Sequence, residues 1–538
     1  MVCPKITRPR TYHRAIVLSI HTAVRPRAPF QNLSCQPHGT RRNFTGGRHD
    51  YAPETKASES APSNQREAEY PPKQSHQPQP KISKPIIESR RLDSDSSSIF
   101  TTTPTPQSGK ESKDNSTDEY MPPGWEDNPD WNITAFSQLP HRYFGYNQHM
   151  RINAEFKEAL RQILWQFRAP IRYAFAYGSG VFSQTDKLSS STNLTPHPHP
   201  AEAIVKWQKG GGKIIDFIFG VTYTQHWHSL NLHQHRDHYS FLGSFGSGTV
   251  SRVQDSFGAG VYFNPYITVN GTMIKYGVVN LDVLTRDLST WDTLYLAGRL
   301  HKPVKILRDD ARVRLANQIN LMSAVRAALL LLGENFTEKE LYMTIAGISY
   351  LGDPRMSLAS ENPKKVENIV KNQMVNFRQL YHPLVNNLPN LSFTDHRCKS
   401  DDWLDDESAC YNLSQDMDPV KRGNMVRRLP AAFREKLYFL YQKKFQISGR
   451  DFNKLLEESK DEDEGSFKRR QGGEFDRRLA GESDLPQNVG KAIQQTVQWP
   501  STIQSIKGLF TAGPTKGWRY MKEKRGKNKE GVEQSKKE

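Results

Sequence analysis

The stretch FAYGSGVFSQ, residues 175–184, decides how the chain is read. A short apolar run ends at Tyr177, and Gly178, Ser179 and Gly180 follow at once. Glycines behind a strand let backbone N–H groups approach an anion, and a helix starting just after them adds its positive end. The same tripeptide also serves as a plain turn. A second copy, Gly246-Ser247-Gly248, has no strand before it and is expected to be a loop.

Around the first copy the pattern alternates between helical and extended. RINAEFKEALRQILWQF (151–167) places Phe156, Leu160, Ile163, Leu164 and Phe167 on one helical face and stops at Pro170. A strand is expected from Ile171 to Tyr177. Others follow in KIIDFIFGV (213–221), VYFNPYITV (261–269), MIKYGVV (273–279) and PVKIL (303–307), all rich in β-branched and aromatic residues. Asn270-Gly271 is a hairpin signal between two of them. From Ala311 the pattern turns helical through RLANQINLMSAVRAALLLL (314–332), breaks at Gly333 and restarts near Phe336-Thr337-Glu338. Val366, Ile369, Val370, Met374 and Phe377 mark a further helical face. An α/β unit with a mixed sheet over 140–310, then a mainly helical unit over 311–450, is the expected organisation.

Charge is unevenly distributed along the 538 residues. The formal net charge is +17, yet residues 1–49 hold nine Lys/Arg and no acid, and residues 491–538 hold eleven Lys/Arg against four Glu. The body between them is close to neutral, which argues against a nucleic-acid groove spread over the fold. Residues 1–49, Arg-rich and acid-free around Ala15–Ile20, read as a mitochondrial presequence. Residues 50–139, with PPKQSHQPQPKISKP (71–85), read as a disordered linker, and 451–485 as a polar one. Cys398 and Cys410, with Cys3 and Cys35 near the start, match no zinc spacing and imply no disulfide framework. No apolar run reaches the ~20 residues needed to span a bilayer.

The last segment, 486–538, combines an apolar period with basic residues. Val489, Ile493 and Val497 recur, Trp499-Pro500 interrupts them, and Ile506, Leu509 and Phe510 resume beside Lys507, Lys516, Arg519 and Lys522. That pattern predicts an amphipathic helix lying on an anionic membrane. The alternative is a helix docked on the protein's own core.

Asp216, inside KIIDFIF, is the candidate for chemistry. A carboxylate among apolar strand residues is costly unless something pairs with it. Nucleotidyltransferases of the polymerase-β type share this plan: a strand, a Gly-Ser turn, and carboxylates on a neighbouring strand that hold Mg²⁺ against nucleotide phosphates. The second carboxylate two residues on is missing here, because Ile218 stands there. Asp282 is the first candidate to complete the metal site and Asp287 the next. Asp186 sits in a polar loop, and 187–212 reads as an insertion. His226 and His228 are expected to make polar contacts rather than bind zinc, and His233, His235 and His238 to be exposed.

AYGSGVFSQ (176–184), IIDFIFGV (214–221), HWHSLN (226–231), HYSFL (238–242), FGAGVYFNPY (257–266), IKYGVV (274–279) and LYLAGRLHKPVKIL (294–307), in this order, resemble the mitochondrial phosphatidate cytidylyltransferases of the translocator assembly and maintenance family. The resemblance covers about 140–450 and again about 485–521, where WPSTIQSIKGLFTAGPTKGWRY (499–520) looks like the family's C-terminal membrane segment. It implies a nucleotidyltransferase domain, a winged-helix-like domain and a C-terminal membrane-associated helix. It also implies synthesis of CDP-diacylglycerol and pyrophosphate from CTP and phosphatidate, on the matrix side of the mitochondrial inner membrane, feeding cardiolipin synthesis. On that basis Gly178, Ser179 and Gly180 are expected to hold CTP phosphates. Asp216 would anchor Mg²⁺, and Lys275, Arg299, Lys302 and Lys305 would surround triphosphate or headgroup. The expected partners are CTP, phosphatidate and an anionic lipid surface, without nucleic acid, and a homo-oligomer stays open. An RNA nucleotidyltransferase and a non-catalytic membrane scaffold remain the competing readings.

Overall fold

The computed structural model describes residues 121–182 except 123 and 128, and residues 214–357, 362–460 and 471–513. The expectations for the presequence, the 187–212 insertion, Asp186 and the basic stretch after Gly513 lie outside these residues.

Five strands form one mixed sheet: β1 (Tyr173–Tyr177), β2 (Ile215–Val221), β3 (Val261–Val269), β4 (Thr272–Asn280) and β5 (Lys305–Arg308), in the order β3-β4-β2-β1-β5. Only β2 and β4 run parallel, and their connection carries the helices Thr224–Gln234 and Gly246–Ser256 before β3 returns antiparallel to β4. Asn270 and Gly271 both have positive φ, 46° and 74°, which closes a two-residue hairpin whose twist matches the strands. Pro265 is tolerated because β3 is an edge strand, bulged between Asn264 and Ile267.

Alternation along the strands separates two cores. Tyr173 and Phe175 face one side of the sheet with Ile218 and Val279, and Ala174 and Ala176 face the other with Phe217, Phe219 and Tyr276. The second face is covered by the helix Ala154–Trp165 and by Phe167 and Trp227. The first face is continuous with the helical part of the chain. At its centre lies the helix Ala311–Leu331, buried at 19 of 21 positions and capped by Asp310, whose carboxylate accepts from the N–H groups of Arg312 and Val313.

A second, three-stranded sheet, Asn335–Thr337, Asn412–Gln415 and Leu391–Phe393 in spatial order, sits with the helices Glu338–Gly347, Lys365–Lys371 and Met374–Asn386. The restart expected near Thr337 is a capping box with Glu340.

Four expectations change. The chain is ordered well before residue 140, because Met121, Trp125 and Ile133 are buried in the main core. The second Gly-Ser-Gly starts the helix Gly246–Ser256 instead of forming a loop. The 451–485 segment contains most of the helix Gly449–Glu458 and the helix Glu474–Ala480, whose Leu479 is buried. The terminal helix is one continuous element, Leu485–Ala512, that passes through Pro500. Its first half docks on the protein itself: Val489, Ile493 and Val497 lie in the main core, so the amphipathic face expected to meet a membrane is largely spent there. Among the described residues no helix is long and apolar enough to cross a membrane.

Candidate active site

Strand register brings the first pieces together. Tyr177, the last residue of β1, pairs with Asp216 of β2, and Asp216 pairs with Lys275 of β4. All three side chains therefore start on the face that carries the main core. Lys275 Nζ donates to Asp216 Oδ1 at 3.1 Å and lies 4.5 Å from the Phe263 ring centroid. The pair is partly exposed, 19% for the lysine side chain and 29% for the aspartate.

The turn after β1 is a tight loop over this carboxylate. Gly178 has φ +81°, and its carbonyl accepts from the N–H groups of Val181 and Phe182 at 3.0 Å each. A Cβ on Gly178 would stand 3.5 Å from Asp216 Oδ2. At Gly180 a Cβ would stand 2.7 Å from the Ile214 carbonyl oxygen and 3.1 Å from Ile215 Cα, which are backbone atoms that cannot move aside cheaply. Gly180→Ala is therefore expected to displace Ile214 and the start of β2 at Ile215, immediately before Asp216. The expected cost is about 1–3 kcal/mol of stability with at least a tenfold loss of turnover, read by thermal melting and a nucleotide-transfer assay.

The segment 291–302 supplies cations from across the cavity. Trp291 and Leu294 both have positive φ, and the loop they shape is held by Asp287. The Asp287 carboxylate is buried and accepts from the N–H groups of Thr293, Leu294, Leu296 and Ala297 at 2.9–3.1 Å and from the Thr293 hydroxyl at 2.8 Å. Arg299 then reaches back to β1: its Nε donates to the Tyr177 hydroxyl at 3.4 Å, and its guanidinium stacks 3.8 Å from the Tyr295 ring centroid. Lys302 donates to the Ser349 hydroxyl at 2.9 Å and to the Gly298 carbonyl. Burial, then the neighbouring Arg299 and Lys365, pushes its ammonium down to about 7.

These groups line a cavity of about 220 Å³ with Gly178, Ser179, Ser349, Tyr350, Asp353, Arg355 and Lys365. The last five come from the helical part and were not legible in the sequence, although GISYLGDPR (347–355) crowds Ser, Tyr, Asp and Arg into one break between helices. Asp353 is buried against Arg355. Its carboxyl lies below the ordinary range because the Arg355 bonds outweigh the upward push of burial. Ser501 of the terminal helix closes one side. Among the lining residues five Lys/Arg stand against two Asp, an excess suited to a polyanion. Larger cavities, of about 800 and 470 Å³, lie away from this turn.

Three expected residues are elsewhere. Asp282 is at the opposite end of β4, at the start of the helix Leu281–Thr290, where it pairs with Arg312 at 2.7 Å and is largely exposed. Seven residues of mostly extended chain separate it from Lys275, about 20 Å, so it cannot share an ion with Asp216. Asp287, the next choice, is consumed by the backbone bonds just described. Lys305 pairs in register with Ala176 and so faces away from Asp216; it is buried and donates to the Met150 carbonyl. Two of the histidines also take structural places, whereas His226 and His233 are exposed. His228 is buried between the Tyr239 hydroxyl and Gln254, both at 2.8 Å, with its imidazolium disfavoured by burial to about 4. His238, expected at the surface, is buried and bonded to the Tyr276 hydroxyl at 2.9 Å.

The family profile described as "Phosphatidate cytidylyltransferase, mitochondrial" matches residues 160–527. The protein of that name from Schizosaccharomyces pombe is 36% identical over 375 residues, 70% of this chain and 84% of its own. Its namesake in Saccharomyces cerevisiae is 44% identical over 253 residues, 46% of this chain and 60% of its own. That in Xenopus laevis is 35% identical over 371 residues, 68% of this chain and 92% of its own.

Proposed function

The chain belongs to the mitochondrial phosphatidate cytidylyltransferase family, and from that premise we propose that it converts CTP and phosphatidate to CDP-diacylglycerol and pyrophosphate. The observation that carries the reading is the cationic cavity in which a phosphate-type glycine turn overhangs the carboxylate of Asp216.

Backbone N–H groups of the Gly178–Gly180 turn and the Ser179 hydroxyl hold the triphosphate. Lys275 and Arg299 neutralise it from β4 and from the 291–302 segment. A phosphate oxygen of phosphatidate, already anionic at neutral pH, attacks the α-phosphorus of CTP. The new P–O bond forms as the bond from that phosphorus to the bridging oxygen breaks, and pyrophosphate leaves with the oxygen and its electron pair. No proton has to be removed from the nucleophile, so the chain needs charge neutralisation and alignment more than a general base.

The donor set also suits a divalent ion. Mg²⁺ characteristically takes one or two carboxylates and completes its shell with substrate phosphates, and Asp216 offers one carboxylate at the mouth of the phosphate turn. Asp216 would hold the ion, which when bound would neutralise charge building on the transferred phosphoryl group.

The sheet and its helices over 140–310 serve as a nucleotidyltransferase domain, and 311–450 as a winged-helix-like one, with the cavity built from both. Residues 1–49 serve as a presequence, and the protein works from the matrix side of the inner membrane, feeding cardiolipin synthesis.

The test is incorporation of labelled CTP into lipid on phosphatidate vesicles. Product that requires both phosphatidate and CTP is expected; folded protein that yields none would overturn the assignment. A second expectation concerns pH. Lys302 has its folded pKa below its unfolded one, so its charge in the folded protein is present below about pH 7 and fades above it. Apparent affinity for the anionic substrates should then weaken as pH rises from 6 to 9, more steeply in the wild type than in Lys302→Gln. The difference between the two KM profiles is the measurement, because titration of the substrates themselves cancels.

A further inference from the structure

The terminal helix spends its first half in the core, but not its end. Ile506, Leu509 and Phe510 are exposed, and so are Phe241, Phe245 and Phe257, each of the six between 44% and 66%. They belong to three elements that touch. The Ser240 hydroxyl donates to the Phe510 carbonyl at 3.0 Å, tying the Phe241–Phe245 turn to the helix end. Lys507 Nζ donates to the carbonyls of Gln254 and Phe257, at 3.2 and 2.6 Å, tying in the end of the Gly246–Ser256 helix. Gln504 completes the seam by accepting from the Ala259 N–H at 3.3 Å and donating to the Val261 carbonyl at 3.0 Å. Phe241 and Phe245 stand edge to face, 6.5 Å between centroids. The polar groups of Ser240, Gln504 and Lys507 thus bond inward across the seam, and the six large apolar side chains stand exposed beside it.

We propose that these six side chains form one docking surface for an anionic lipid bilayer, in which the α/β part of the chain inserts as many groups as the terminal helix does. The inference rests on the lipid-substrate reading above and adds where the bilayer is met. Apolar exposure gathered on adjoining elements in this way marks an interaction site, and charge identifies the occupant. The chain leaves the patch at Gly513, and residues 514–538 carry nine Lys/Arg against four Glu, with Trp518 and Tyr520 among them. Cations and interfacial aromatics that follow next in the sequence suit an anionic membrane surface. The same helix lines the catalytic cavity at Ser501, nine residues before Phe510. Docking at the patch therefore sets the cavity about 14 Å along the helix axis from the inserted end.

The experiment uses the full chain, flotation on phosphatidylcholine vesicles with and without phosphatidate, and turnover of a water-soluble short-chain phosphatidate. The triple variant Phe241→Ser, Phe245→Ser, Phe257→Ser is expected to lose roughly 100-fold or more in partition to phosphatidate vesicles, from a factor of about five to ten per half-inserted phenylalanine, with short-chain turnover unchanged. Ile506→Ser with Leu509→Ser, on the other side of the seam, should act alike, whereas Phe439→Ser, exposed elsewhere, should change nothing. Vesicle partition within twofold of wild type in both patch variants would overturn the proposal. So would a fall in sedimentation mass in those variants, which would show that a second copy covers the patch. If the wild type binds vesicles through the patch but turns over no short-chain phosphatidate, the docking surface stands and the catalytic reading falls.

Discussion

Asp216→Asn is expected to lower CTP-dependent turnover by roughly a thousandfold, the scale on which losing one preorganised charge at a phosphoryl centre is felt, while leaving the fold intact. The side chain sits in a strand but at the mouth of the cavity, partly exposed and paired with Lys275 across the register. A pair with that much solvent contributes about 0–1 kcal/mol to stability, so the melting temperature should move by only a few degrees. Asparagine keeps the size and an acceptor for Lys275 Nζ but cannot offer a full negative charge to a metal–triphosphate. The outcome to look for is a protein that melts like the wild type, still binds vesicles and transfers no nucleotide. Turnover near wild type would remove Asp216 from the chemistry; wholesale unfolding would make it a structural residue.

Asp287→Ala should fail in the opposite way. Its carboxylate is buried and receives four backbone N–H groups and a hydroxyl from a loop whose Trp291 and Leu294 have positive φ. Removing it strands those donors inside the protein, at about 3–5 kcal/mol in total, enough to lower the melting temperature by about 4–7 degrees in a cooperative unit of this size. Because the same loop carries Arg299 and Lys302, activity should fall with it even at temperatures where the variant is folded. Asp287→Asn, which keeps two acceptors' worth of lone pairs on one oxygen, should lie between. Calorimetry together with turnover at low temperature separates the two contributions. Full activity in a destabilised Asp287→Ala would show that the cations do not depend on the loop.

These two aspartates also show where sequence reading ends. Both stand in mixed apolar and polar surroundings, and the chain alone ranks Asp287 as a possible second metal ligand. Only the folded loop reveals that its oxygens are already occupied. Lys305 and Asp282 fail for a different reason. A strand sends successive side chains to opposite faces, so Lys305 depends on a register with β1 that local sequence does not state, and Asp282 lies past the far end of β4. Asp216 and Lys275 were legible because each lies within a strongly patterned strand, but that they are cross-strand partners is a fact of pairing.

What the chain determined by itself was local: strands where β-branched and aromatic residues cluster, the Asn270-Gly271 hairpin that needs two positive φ values, the capped restart at Thr337, and a glycine turn behind a strand. Each depends on residues a few positions apart, whose conformational preferences act without help from the rest of the molecule. Tertiary structure decided which elements share a face. It placed Ser349, Tyr350, Arg355 and Lys365 of the helical part opposite the glycine turn. It also buried Val489, Ile493 and Val497 of a helix whose period suits water, membrane or core alike. Amphipathic periodicity says that one face must be covered; it carries no information about what covers it, and burial against the core helix settled that for the first half and left the end of the helix outside.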